Sequence, residues 1–267
     1  MWLPDAYTYA PSTVSGLLAP LMTKVGAYVM IRVLFTVFKP DFSIELIPAT
    51  AILGWMAAGA ILFGAVLALA QTDLKRMLAY ILVSEVGYIA LGVGLANRNG
   101  LTGAILHILN DSFMILALFL VVGAIMYRHG NREIPQLRYL HRKMPFTMAA
   151  FVIAALSVIG IPPTCGFFSK WYLILGAIDA DQWVFVAVLL ISSLLSVILF
   201  FRVIEHAYLE PEEEHAGEAS ESAIAIEEAP LSMLVPIFVA AAGIMVFGVF
   251  SGKIISTVIQ FAVPGYF

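Results

Sequence analysis

The chain has 267 residues, 61% of them apolar and 12% charged, with a mean hydropathy of +0.96. Soluble domains are nearer half apolar and a quarter charged, so the composition excludes an ordinary soluble protein and points to a lipid bilayer. The formal net charge of −4 is concentrated in Glu210–Glu228 and identifies no partner, and the single cysteine, Cys165, excludes an intrachain disulfide or a cysteine-ligated cluster.

The opening Met1-Trp2-Leu3-Pro4-Asp5-Ala6 reads as an aromatic followed by a turn. Seven apolar spans follow, at about 12–38, 48–70, 75–96, 101–127, 146–179, 182–208 and 231–252. Each is near or above the roughly 20 residues needed to cross a bilayer. The expected fold is therefore all-α and polytopic, with residues 1–267 forming a single transmembrane domain.

In the first span, Lys24 lies near mid-membrane, one turn beyond Pro20. That proline leaves the Gly16 carbonyl without its helical partner, so the helix is expected to kink and admit water. Lys39-Pro40-Asp41 separates it from the second span. Gln71-Thr72-Asp73 leads into the third, which Lys75 and Arg76 open. Lys75 reads equally as a boundary anchor, with Asp73 at the helix N-terminus, or as a point of proton entry. Glu85 is central in this span.

In the fourth span His107 and Asp111 are spaced i, i+4 and share one helix face, beside Asn110. An imidazole and a carboxylate one turn apart can hydrogen-bond or exchange a proton through one water. A basic stretch, Arg128/Arg132/Arg138/Arg142/Lys143, precedes the fifth span.

The fifth span is over-long because it is broken. Pro162 and Pro163 lack N–H groups, so the carbonyls of Val158 and Ile159 lose their helical partners, and Gly166 and Lys170 follow. In hydrocarbon such carbonyls are tolerated only inside protein or against a water-filled cavity. A lysine just beyond costs several kcal/mol unless water, a counter-ion or deprotonation relieves it. The alternatives are an ion or proton path, or a kink with a lysine reaching the interface. Glu205 and His206 mark the end of the sixth span, at an interface. The acidic segment after it, residues 209–229, reads as a solvated cytoplasmic linker or as a docking strand for a partner.

With seven spans, the N-terminus, Lys75/Arg76, the basic stretch and the acidic linker share one face, and Lys39, Arg98, Asp179–Asp181 and Lys253 the other. The more basic face is expected to be cytoplasmic, with the N-terminus inside and the C-terminus outside. No nucleophile constellation, metal-ligand cluster or phosphate loop is visible, and no cofactor, metal or nucleic-acid partner is expected.

Trp2-Leu3-Pro4-Asp5-Ala6 with Ala10-Pro11-Ser12-Thr13, then Gln71-Thr72-Asp73-Leu74-Lys75-Arg76-Met77-Leu78-Ala79-Tyr80, then Ile161-Pro162-Pro163 with Gly166-Phe167-Phe168-Ser169-Lys170, resemble the antiporter-like membrane subunits of respiratory complex I, of Mrp-type cation/proton antiporters and of membrane-bound hydrogenases. The motifs cover most of the chain in the family's order. The resemblance implies a core of about fourteen helices in two inverted repeats, each with a broken helix, this chain matching helices 8–14. Lys24 matches the lysine that links two half-channels, His107 and Asp111 the polar central helix, and Lys170 the broken-helix residue facing the outer half-channel. The implied function is proton or cation/proton translocation within a multisubunit inner-membrane complex, together with other membrane subunits, one of them supplying the first repeat.

The chain departs from the family at Ile115, where a lysine is usual, two turns beyond His107. Glu85 or Lys24 would have to bridge that gap. The other reading is a truncated or structural membrane subunit with no complete ion path.

Overall fold

A computed structural model describes residues 2–38, 48–209 and 226–263. The Lys39-Pro40-Asp41 separator, most of the acidic linker and the last four residues lie outside the described residues.

The fold is an all-α, polytopic membrane bundle. Its opening residues form a helix, α1 (Trp2–Tyr9), where the sequence suggested a turn. Pro4 is compatible because it falls in the first turn, whose N–H groups have no intrahelical acceptor. Helix α2 (Ser12–Arg32) carries Pro20 inside it and continues as a wider π-type turn, Val33–Val37. Then come α3 (Ala49–Leu69), α4 (Leu74–Gly94) and α5 (Arg98–His129). A short α6 (Leu140–Lys143) precedes α7 (Pro145–Ile159) and α8 (Cys165–Asp179). Helices α9 (Trp183–Tyr208) and α10 (Leu231–Val249) complete the bundle, and a short helical tail follows from Ser251. Six of these are long and apolar enough to cross a membrane singly, and α7 with α8 forms the broken seventh.

Local chemistry sets the boundaries. Asp73 caps α4 by accepting from the Arg76 N–H at 3.0 Å, and Asn97 caps α5 through the Gly100 N–H at 2.7 Å. α7 starts with Pro145 at its first position and stops at Gly160, whose φ of 94° is one a side chain would resist.

Helix α5 is the axis of the bundle, packed against α2, α4, α7, α8 and α10, while α3 lies on α4 and α9. Ile115, Leu118, Val121 and Val122 of α5 are fully buried in the main apolar core. The connections gather at two ends. At one, Arg132 pairs with Asp73 at 2.5 Å, Arg202 donates to the carbonyls of Leu69 and Gln71 at 2.7 Å each, and a ring nitrogen of His141 lies 2.6 Å from the Ala207 carbonyl. At the other, Asn97 donates to the Gly176 carbonyl and Asn99 to the Asp179 carboxylate.

The described end of the acidic segment is no free linker. The Glu228 carboxylate accepts from the Phe146 N–H at 2.9 Å and from the Thr147 hydroxyl, capping the start of α7. The Glu227 N–H reaches the Lys143 carbonyl at 2.9 Å. The unpaired N–H groups of a helix start attract a carboxylate, so the segment docks on its own chain at this point.

Candidate functional site

The break between α7 and α8 resolves its own orphaned groups with side chains. The Ser157 hydroxyl accepts from the Gly166 N–H at 3.1 Å, the Asn110 amide donates to the Cys165 carbonyl at 2.7 Å, and the Thr164 hydroxyl donates to the Ile161 carbonyl at 2.6 Å. The Val158 carbonyl, which Pro162 deprives of its helical partner, takes the Lys170 ammonium instead, at 2.5 Å. Lys170 is 5% exposed, so it does not reach a surface. Gly166 is required here: a Cβ on it would lie 1.9 Å from the Ser157 carbonyl oxygen. Gly248 of α10 presses on the same break, where a Cβ would stand 2.0 Å from the Pro163 carbonyl oxygen.

Around the break the ionisable residues form one buried row. From α2, Lys24 places its Nζ 2.5 Å from Asp111 Oδ2 on α5. One turn earlier on α5, His107 Nε2 lies 3.1 Å from Glu85 Oε2 of α4. The other ring nitrogen, Nδ1, is 2.9 Å from Ser169 Oγ on α8, one residue before Lys170. Glu85 is 1% exposed, and His107 and Asp111 are fully buried. His107 and Asp111 therefore face in one direction, as their spacing requires, but pair with different partners rather than with each other.

The hydrogen bonds constrain the proton on His107. Ser169 Oγ can donate to the Gly166 carbonyl at 3.1 Å, and in that arrangement it accepts from His107 Nδ1–H. Nε2 then faces Glu85 Oε2 at ion-pair distance without a well-aligned hydrogen bond between them, so a proton on the imidazole makes a charged pair and a proton on the carboxyl two neutral partners. A single proton moving along that 3.1 Å contact changes the charge of both residues.

The remaining candidates lie elsewhere. Lys75, 2% exposed, donates to the Ala10 carbonyl at 2.5 Å and fastens the α1–α2 turn to α4. Glu205 is exposed and His206 half-buried near the end of α9, away from the row.

Tyr88 went unread in the sequence as a site residue. It lies three residues after Glu85, on the same face of α4, and is fully buried with its ring 4.5 Å below Lys170 Nζ. The i, i+3 spacing from Glu85 was the available signal.

Residues 1–196 match the protein family described as NADH:quinone oxidoreductase/Mrp antiporter, TM. An NADH-quinone oxidoreductase subunit N from Desulforudis audaxviator is 49% identical over 268 residues, covering 98% of this chain and 53% of that protein. A chain in the structure of the Mrp complex from Dietzia sp. DQ12-45-1b superposes with a TM-score of 0.80 at 26% identity, over 95% of this chain and 53% of that one. One from respiratory complex I of Thermus thermophilus with bound NADH gives 0.81 at 26% identity, over 95% and 51%. The chain thus spans about half the length of the relatives it matches.

Proposed function

The chain belongs to the NADH:quinone oxidoreductase/Mrp antiporter transmembrane family, and from that premise we propose that it is a proton- or cation/proton-translocating subunit of a multisubunit membrane complex. The observation that carries the reading is the buried row Lys24–Asp111, Glu85–His107 and Lys170. Charges cost several kcal/mol each to bury, and apolar residues of similar volume would hold the same helices together at least as well. A fold that keeps five such groups together needs them for something other than stability. Pairs in which a proton can sit on either partner are suited to passing charge along the row.

In this reading Lys24 joins the row to the helices of a partner or preceding segment that supplies the other repeat. Support comes from α2, whose outward positions Leu17, Leu21, Val25 and Tyr28 are half or more exposed while Lys24 turns inward. Lys170 passes protons to the outer side through the break. Lys75, Glu205 and His206 lie at the bundle end that we assign to the cytoplasm, on account of its basic stretch Arg128–Lys143, in a bacterial inner membrane. The energy for transport comes from chemistry or an ion gradient in other subunits.

The test is proton uptake by proteoliposomes containing the chain with its native partners. Lys170→Ala should abolish uptake with assembly intact. Lys170→Arg should be nearly as damaging, because guanidinium does not release its proton at accessible pH. Undiminished uptake in Lys170→Ala would remove the transport role. The buried Ile115, standing in the core where the resemblance implies a lysine, is the feature that favours a structural subunit instead, and that reading requires the wild type itself to show no uptake.

A further inference from the structure

Tyr88 has no place in the row as read from charged residues, yet its surroundings are specific. The Lys170 ammonium has two close contacts of opposite character: the Val158 carbonyl at 2.5 Å and the face of the Tyr88 ring at 4.5 Å from its centroid. The same ring lies 5.5 Å from the His107 imidazole, centroid to centroid. Tyr88 is fully buried, and it turns both its ring and its hydroxyl towards the Lys170 side chain. A buried tyrosine can offer a cation its ring face and its hydroxyl, and the short distance from the ammonium to the ring centroid makes the face part of the contact.

We propose that Tyr88 is a positioning residue for the ion path: its ring face holds Lys170 in the charged form and keeps the ammonium between the Val158 carbonyl and the Glu85–His107 pair. The inference rests on Lys170 carrying protons, as proposed above. A ring face attracts an ammonium and not a neutral amine, and the attraction is strongest where water is excluded. The contact therefore favours the protonated lysine over the neutral one. The titratable groups facing Lys170 from neighbouring helices are Glu85 and Tyr88 on α4 and His107 and Asp111 on α5, with Lys24 beyond Asp111. Helices α7 and α10 carry none, and those of α9 fall in its last two turns.

Ring electronics can be changed without changing shape. Proton uptake by the native complex, followed across pH, is compared for the wild type, Tyr88→Phe, and position 88 carrying phenylalanine with three ring fluorines. Phenylalanine keeps the ring face and should keep the alkaline limb of the profile. The fluorinated ring loses its negative face, and the limb should move to lower pH by about one unit. An unmoved limb on fluorination would overturn the proposal, and so would an equal shift in Tyr88→Phe, which would assign the effect to the hydroxyl. Lys170→Ala in the same series separates the two ideas. If it transports normally, the path through Lys170 falls, whereas a dead Lys170→Ala beside an unaffected fluorinated variant removes only the role of Tyr88.

Discussion

Asp111 and Lys24 illustrate how a buried pair is held. The carboxylate is fully buried, the lysine 5% exposed, and they meet at 2.5 Å. Removing one partner of such a pair leaves an uncompensated charge and costs about 3–5 kcal/mol, whereas replacing both with apolar residues is often neutral. That asymmetry separates the structural from the functional use of the pair. The individual charged residues of the row were legible as isolated polar positions in apolar spans. Their partners were not. The i, i+4 spacing of His107 and Asp111 fixed a shared face, but which helix each would meet depends on packing between α2, α4 and α8 that no local pattern encodes. Tyr88 was passed over because an aromatic in an apolar span is ordinary, and only the lysine above its ring distinguishes it.

At the level of the element, the broken helix is the feature that sequence exposed most completely. Two prolines remove two N–H groups, and the consequence could be written down before any coordinates. What closes the break was only partly readable: Ser157 and Lys170 belong to the two halves of the broken helix, but Asn110 comes from α5, far away in sequence. Gly248 comes from α10, some eighty residues on, and carries no sign of its role. Its Cβ position is 2.0 Å from a backbone oxygen, which cannot swing aside as a side chain would. Gly248→Ala should therefore push α10 away from the break and destabilise the chain by about 1–3 kcal/mol. Thermal unfolding of the detergent-solubilised complex should show a lowered midpoint, and an unchanged midpoint would mean that α10 does not clamp the break. The docking of Glu228 on α7 was missed for a related reason. A run of glutamates reads as solvated, and only the nearness of an unpaired helix start converts one of them into a cap.

For the whole molecule, the grouping of connections at two ends agrees with the spans counted from hydropathy, since Asp73, Arg132, Arg202 and Glu228 gather at one end and Asn97, Asn99 and Asp179 at the other. The proposed assignment of the basic end to the cytoplasm rests on charge alone. A reporter inserted within Glu210–Glu228 should be active only in the cytoplasm, and one fused after Phe267 only outside; reversal of both would invert the bundle. The central claim is that the buried row is kept for moving protons and not for holding the helices together. Its most direct test is proton uptake by proteoliposomes carrying the native complex with Lys24→Met and Asp111→Leu combined. The account predicts a complex that assembles to wild-type levels and takes up no protons above background, and wild-type uptake by that doubly substituted chain would contradict it.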